Sequence, residues 1–432
     1  MKKIFIFISI FFPGFLFSQK AQHVIIITID GFRPDFYLDT VWHTPNLKEL
    51  KEKGSFAYGV NSVLPSVTYP SHTTIVSGVR PAKHGVYYNT VFNPTEAKSV
   101  PYWKYSDIKV PTLWSILHAQ GKTVASLLWP MTGDAPVDYN IPDNADLGDS
   151  MQIAYSIPKD FINTLKHEVF NDGPAIEFGK DQNVARIAAY VIKKAQPTFM
   201  TVHFFSVDHA EHMQGRKGDM VERAIHDADS GVAIVRQAIA ESNMTDNTVL
   251  IVTGDHGFKN VTTVINPNVW LAENSIITDR AHWKAIFNSA GGSTFLYLKD
   301  KDDTSTLNKV LNILRSQPDS IKKYFRIINR QKMNSIEGNP ETAFCLSGEN
   351  GASFHNDIIG NAMMPGKGGT HGFFPDTREI QTGFIAYGPG IQKGGKMIRE
   401  MNLIDIAPLV AHLLGISLPT AEGKIPEGLL SK

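Results

Sequence analysis

The sequence predicts an α/β protein with a mostly parallel central sheet flanked by helices, and three observations carry that prediction. Val24–Ile29 is a continuous β-branched run, the pattern of a strand covered on both faces. Strand-like and helix-like segments then alternate along much of the chain. Finally, three predicted strands run into acidic groups, at Asp30, Asp208 and Asp255-His256. Open α/β sheets place ligand sites just beyond the carboxyl ends of their strands.

At 432 residues the chain is long enough for one large domain or two to three smaller ones. Its 42 basic and 42 acidic residues cancel, so no bulk charge points to a nucleic-acid polymer or an anionic membrane as partner. Lys2 and Lys3 precede an apolar run, Ile4–Phe17, that ends at Ser18, and this reads as a signal peptide over residues 1–18 with cleavage after Ser18. The run is short for a membrane span and Pro13-Gly14 interrupts it. The mature protein, residues 19–432, is therefore expected to be exported, periplasmic or secreted, with no stable membrane anchor. Cys345 is the one cysteine and reads as a small buried hydrophobe.

In chain order, the strand Val24–Ile29 ends at Asp30-Gly31, and Asn46 caps a helix that runs to Lys53 and stops at Gly54. The segment Val63–His84 places Thr68 between Pro65 and Pro70, followed by a helix over Ser71–Ser77 stopped by Gly78. Pro111 opens a helix over Thr112–Gln120, and Thr123–Leu128 is the next strand. Residues 131–180 are rich in Asp, Pro and Gly without periodicity and read as an insertion or lid. A helix over Gln182–Ala195, a strand over Phe199–Phe205, a helix over Met220–Ile239 and a strand over Thr248–Thr253 resume the alternation. Residues 257–365 change pattern and read as an inserted subdomain. The core returns with Thr370-His371-Gly372, a strand over Gly383–Tyr387 and a helix over Ile404–Leu414.

The chemistry follows from what stands at the strand ends. His212 lies about one helical turn after Asp208, so both can face one ion, and His371 sits among glycines that permit close backbone approach. Three Asp and three His suit zinc, with manganese or iron less favoured, and they divide into two sites sharing a cavity. Two ions about 3.5–4 Å apart clamp the attacking and leaving oxygens of a displacement at phosphorus, and Thr68 is a nucleophile in need of such help. Taken singly, each residue has a plainer reading: Asp30 as a turn residue, Asp255-His256-Gly257 as a loop. Their joint placement around a Pro-bracketed Thr favours the site.

The ordered set Asp30-Gly31-Phe32-Arg33, Val67-Thr68-Tyr69-Pro70, Asp208…His212, Asp255-His256-Gly257 and Thr370-His371-Gly372 resembles the nucleotide pyrophosphatase/phosphodiesterase family, within the alkaline phosphatase superfamily. The resemblance implies an alkaline-phosphatase-like catalytic domain with inserted lid segments at about 131–180 and 257–365. It implies one zinc on Asp30, Asp255 and His256 that also binds Thr68, and a second on Asp208, His212 and His371. Thr68 matches the nucleophile that becomes phosphorylated, and Asn89 the amide that binds a phosphoryl oxygen. Tyr69 stands where an aromatic face stacks a nucleobase, with Tyr88 and Trp129 as further candidates for the substrate pocket. Ser71 departs from the family, many members carrying Asn there.

The expected substrate is a small phosphodiester, a nucleotide by preference. The alternative is a phosphomonoesterase on the same scaffold, which would place a cation such as Lys83 or Arg33 near the non-transferred oxygens. An exported binding protein that has lost catalysis fits less well, since it has no need of an activated Thr68. A sulfatase would need Cys or Ser at that position. Gly390–Lys396 has P-loop spacing, but Met397 replaces the required Ser or Thr.

Overall fold

The computed structural model describes residues 21–95, 100–143, 148–173 and 175–431, so the predicted signal peptide lies outside the described residues. Strand His23–Ile29 occupies the interior of an eight-stranded sheet. Phe199–Phe204 and Thr248–Thr253 flank it, both parallel to it. Beyond the first of these run Val124–Leu127 and Tyr139–Ile141, again parallel. Beyond the second, Phe384–Tyr387 is antiparallel, followed by the short strands Ser55–Ala57 and Lys396–Ile398.

The β-branched run has a simple physical reason. Ile25, Ile27 and Ile29 face a layer built from the helices Pro45–Lys53, Asp181–Ala195 and Asp219–Glu241. Val24 and Ile26 face the opposite layer, containing Thr68–Ser77, Leu113–Ala119 and Ile406–Leu414. Each fully buried aliphatic side chain contributes about 1.5–3 kcal/mol, so a strand covered twice has no place for a polar alternation.

Most predicted helices lie within two residues of those observed. Thr112 caps its helix through a reciprocal box with Ser115, which explains why the helix proper starts at Leu113. The helix expected to start at Ser71 instead starts at Thr68. Proline is tolerated in a first turn, where its missing N–H would have had no intrahelical partner, so Pro70 does not delay the start.

Residues 131–180 differ from a plain insertion. Tyr139–Ile141 is an edge strand of the central sheet, and the helices Asp149–Ala154 and Phe161–Glu168 follow it. A three-residue strand is too short to show a period, which is why the sequence conceals it. Within 257–365 the chain forms a separate four-stranded antiparallel sheet from Ala285–Ser289, Ser293–Leu298, Phe325–Ile328 and Phe344–Gly348, with its own core around Phe287 and Leu296. Among the described residues no helix is long and apolar enough to cross a membrane.

Candidate active site

Three parallel neighbours deliver their acidic ends to one edge of the sheet. Ile29 pairs with Phe204, and Thr28 with Thr253, so the three chains leave side by side. Asp30 follows the first strand directly. Asp208 and His212 lie on the helix Ser206–Gln214 that follows the second, and Asp255-His256 follow the third. His371 arrives from the pairing of Gly369–Thr370 with Lys259–Asn260. Its neighbour Gly372, at φ +86°, donates to the Ser66 carbonyl at 2.9 Å, and a Cβ there would lie 1.7 Å from the Ala290 carbonyl oxygen. Only glycine fits that approach.

The six side chains form two triads. In the first, His256 Nε2 lies 3.3 Å from Asp30 Oδ1 and 3.1 Å from Asp255 Oδ2. In the second, Asp208 faces His212 Nε2 at 3.4 Å and His371 Nε2 at 3.6 Å. The triads touch: the rings of His256 and His371 stack with centroids 3.7 Å apart.

These groups have the character of a cation site. Asp30 Oδ1, Asp208 Oδ1, Asp255 Oδ2 and His256 Nε2 are buried without a hydrogen-bond partner. Burial, with repulsion from Asp208 added at Asp30 and from Asp30 added at Asp255, holds both carboxyls well above the usual carboxylate range. Burial, with neighbouring imidazoles added, holds His256 and His371 well below the ordinary histidine value. Such orphaned charges are costly unless a cation compensates them. In the second triad the other ring nitrogens are already committed: Nδ1 of His212 faces the Gly369 carbonyl at 3.1 Å, and Nδ1 of His371 faces that of Ser66 at 3.2 Å. Carbonyls only accept, so each Nδ1 carries the proton and each Nε2 offers its lone pair to the triad. Mixed carboxylate and imidazole donors fit a divalent ion of the zinc type.

Thr68 is the first residue of a wholly buried helix, beside a cavity of about 440 Å³ that it shares with Asp30 and Asn89. His72, one turn along, fixes it from below: Nδ1–H donates to the Thr68 carbonyl at 2.8 Å while Nε2 meets Thr28 Oγ1 at 2.9 Å. The positive end of this helix favours negative charge at Thr68. Asn89 Oδ1 accepts from the Tyr69 N–H at 3.0 Å, which leaves its amide N–H groups to offer a ligand. Tyr69 lines the cavity with Leu128, Ile176, Phe178 and Phe205, and its hydroxyl donates to Asp143 at 3.0 Å.

Several expectations need correction. Tyr88 does not line this cavity; it is buried against Phe295, with its hydroxyl at 3.0 Å from that of Tyr297 and accepting from Asn339. Trp129 is a core residue, edge-on to His72 and Trp114. Neither proposed cation is at the cavity. Arg33 is buried in ion pairs with Glu211 and Asp35, and Lys83 pairs with Glu422 on the surface. No lysine or arginine is among the described residues lining the cavity.

Other residues were hidden in the sequence. His203, on the central sheet, bridges the Leu128 carbonyl at 3.0 Å and Asp30 Oδ2 at 3.2 Å. Its position just before the acidic turn was the only signal, shared with His209, which no such contact distinguishes in advance. Asp181 anchors the helix Ser206–Gln214 by accepting from the backbone N–H groups of Phe205 and Ser206.

Comparison with known proteins agrees with this geometry. The profile of a family described as type I phosphodiesterase / nucleotide pyrophosphatase matches residues 24–344. Ectonucleotide pyrophosphatase/phosphodiesterase family member 7 of Mus musculus is 22% identical over 415 residues, covering 92% of this chain and 84% of its own. A bis(5'-adenosyl)-triphosphatase of Xenopus laevis is 23% identical over 414 residues, covering 93% of this chain and 79% of its own. Among solved structures, human ectonucleotide pyrophosphatase/phosphodiesterase 5 superposes with a TM-score of 0.69 at 19% identity, covering 95% of this chain and 100% of its own. An inactive variant of the murine protein in complex with AMP gives 0.67 at 18% identity, with the same coverage of each chain.

Proposed function

The chain belongs to the type I phosphodiesterase/nucleotide pyrophosphatase family, and we propose that it hydrolyses phosphodiester or pyrophosphate bonds of small nucleotides, with Thr68 as nucleophile and two zinc ions as cofactors. The observation that carries this reading is the pair of touching triads beside Thr68, one buried and the other opening through His212 toward solvent. Two bound cations would supply Lewis-acid stabilisation of the attacking and leaving oxygens, one held by Asp30, Asp255 and His256 and the other by Asp208, His212 and His371. Thr68 Oγ forms the new bond to phosphorus as the bond to the leaving alcohol or phosphate oxygen breaks. Water then cleaves the phosphothreonine, restoring Thr68 and releasing a phosphate monoester. The Asn89 amide donates to a phosphoryl oxygen whose negative charge grows in the transition state.

Two features support a diester over a monoester. The described cavity lining has no lysine or arginine to meet a second non-transferred negative charge, and it has apolar room for an ester group beside Tyr69, Phe178 and Phe205. The names of relatives that act on or bind adenosine compounds support a nucleotide as that group.

The test compares kcat/KM for a nitrophenyl nucleotide diester with that for nitrophenyl phosphate, using zinc-loaded protein, with Thr68→Ala as control. A ratio well above one, abolished in Thr68→Ala, is expected. A ratio below one would make the enzyme a phosphomonoesterase, and Thr68-independent turnover would remove the phosphothreonine. Export to the periplasm or medium is also proposed, supported by Lys2-Lys3 and the apolar run Ile4–Phe17. Mass spectrometry of the protein recovered outside the cytoplasm should find Gln19 at the N-terminus; an intact Met1 would contradict cleavage.

A further inference from the structure

A buried ion pair lies beside the two triads, and the chemistry above gives it no task. Glu211 stands between Asp208 and His212 on the helix Ser206–Gln214, and Arg33 follows Asp30 on the loop beyond the central strand. Their side chains are 0% and 1% exposed, with Arg33 Nε 3.0 Å from Glu211 Oε1. Glu211 also closes over Gly31, where an added Cβ would lie 2.7 Å from its Oε2. The guanidinium lies over the Phe36 ring at 4.3 Å and meets Asp35 Oδ2 at 3.2 Å. Asp35 is in turn 3.4 Å from Arg216, which donates to the Phe258 carbonyl at 2.6 Å. The contacts therefore begin beside Asp30, cross to the helix bearing Asp208 and His212, and end two residues beyond His256.

We propose that Arg33 and Glu211 are positioning residues, whose ion pair sets the separation between the triad of Asp30, Asp255 and His256 and the triad of Asp208, His212 and His371. The inference rests on reading those triads as metal sites. A buried ion pair adds little stability over a well-packed apolar pair, because desolvation offsets its attraction. The single buried contact, with Glu211 packed against Gly31, does fix the register of the two elements it joins. Functional constellations need that register held within about 0.5 Å, and a spacing of two cations is such a case.

The test uses the full chain with Arg33→Met/Glu211→Met, which removes both charges and keeps much of the volume, beside Glu211→Gln. Zinc affinity of each equivalent is measured by chelator competition, together with Tm, kcat and KM on the diester. The double variant is expected to fold and bind two equivalents. Its weaker equivalent should loosen about ten-fold and kcat fall about ten-fold, with KM within about two-fold. Zinc affinities and kcat equal to the parent's, whatever the Tm, would overturn the proposal. So would Glu211→Gln if it lost Tm alone, since that is a purely structural role. Should the double variant fail to fold, Arg33→Lys keeps the charge and loses the Nε contact to Glu211, and the same readings decide. A parent chain that binds no zinc would overturn the metal sites themselves, a result distinct from either.

Discussion

Asn89 joins structure to chemistry through one amide. Its Oδ1 accepts from the Tyr69 N–H, one of the first-turn donors that the helix itself cannot satisfy. A peptide N–H only donates, so this contact fixes which end of the amide is left for substrate. Asn89→Ala should lower kcat about 10²-fold, and the unmade Tyr69 bond should cost about 1 kcal/mol of stability. Asn89→Asp restores the acceptor without the donor, so it should recover stability and leave kcat low. Steady-state kinetics beside urea unfolding check both, and an Asn89→Ala variant with parental kcat would remove Asn89 from the chemistry. Residue type was readable here from the chain alone, whereas side-chain direction was not. Tyr69 and Tyr88 look equally suited to a pocket, yet one lines the cavity and the other anchors the antiparallel sheet of the inserted segment.

The helix Ser206–Gln214 carries two of the six triad residues, and Asp181 holds its start. Asp181 Oδ1 accepts from Phe205 N at 3.1 Å and Ser206 N at 3.3 Å, and its other oxygen accepts from the Ser206 hydroxyl. Burial pushes its carboxyl up from 3.8 to about 6, against the pull of those bonds. A raised acid contributes stability that is full below its unfolded value and lost as pH rises through its folded one. The stability of the parent relative to Asp181→Asn should therefore fall by on the order of 3 kcal/mol between pH 4 and pH 7. Urea unfolding across that range checks it, and a flat difference would mean that Asp181 titrates alike in both states. The helices themselves were legible because apolar spacing and stop signals are local. The start at Thr68 was obscured by Pro70, although the proline's position in the first turn is compatible with a helix there.

Across the whole molecule, the buried carboxylates of Asp30 and Asp255 and the half-buried one of Asp208 make the folded state sensitive to cations. Zinc at about 1,000 times its dissociation constant should stabilise the chain by roughly 4 kcal/mol per site, if it binds the native state alone. Chelator should reverse this, and thermal unfolding with and without metal measures it. An unchanged Tm would argue against both triads. The sequence by itself determined the chemical inventory and the α/β class: Asp and His groups after strand-like runs, a Thr between two prolines, and a first strand apolar on both sides. These are properties of residue type and short-range period, which survive without knowledge of contacts. Only the tertiary structure decided that Arg33 faces Glu211 and not the cavity, that His203 touches Asp30, and that Tyr139–Ile141 extends the sheet. Each of those depends on partners distant in the chain, brought together by packing and by main-chain pairing that no local pattern encodes.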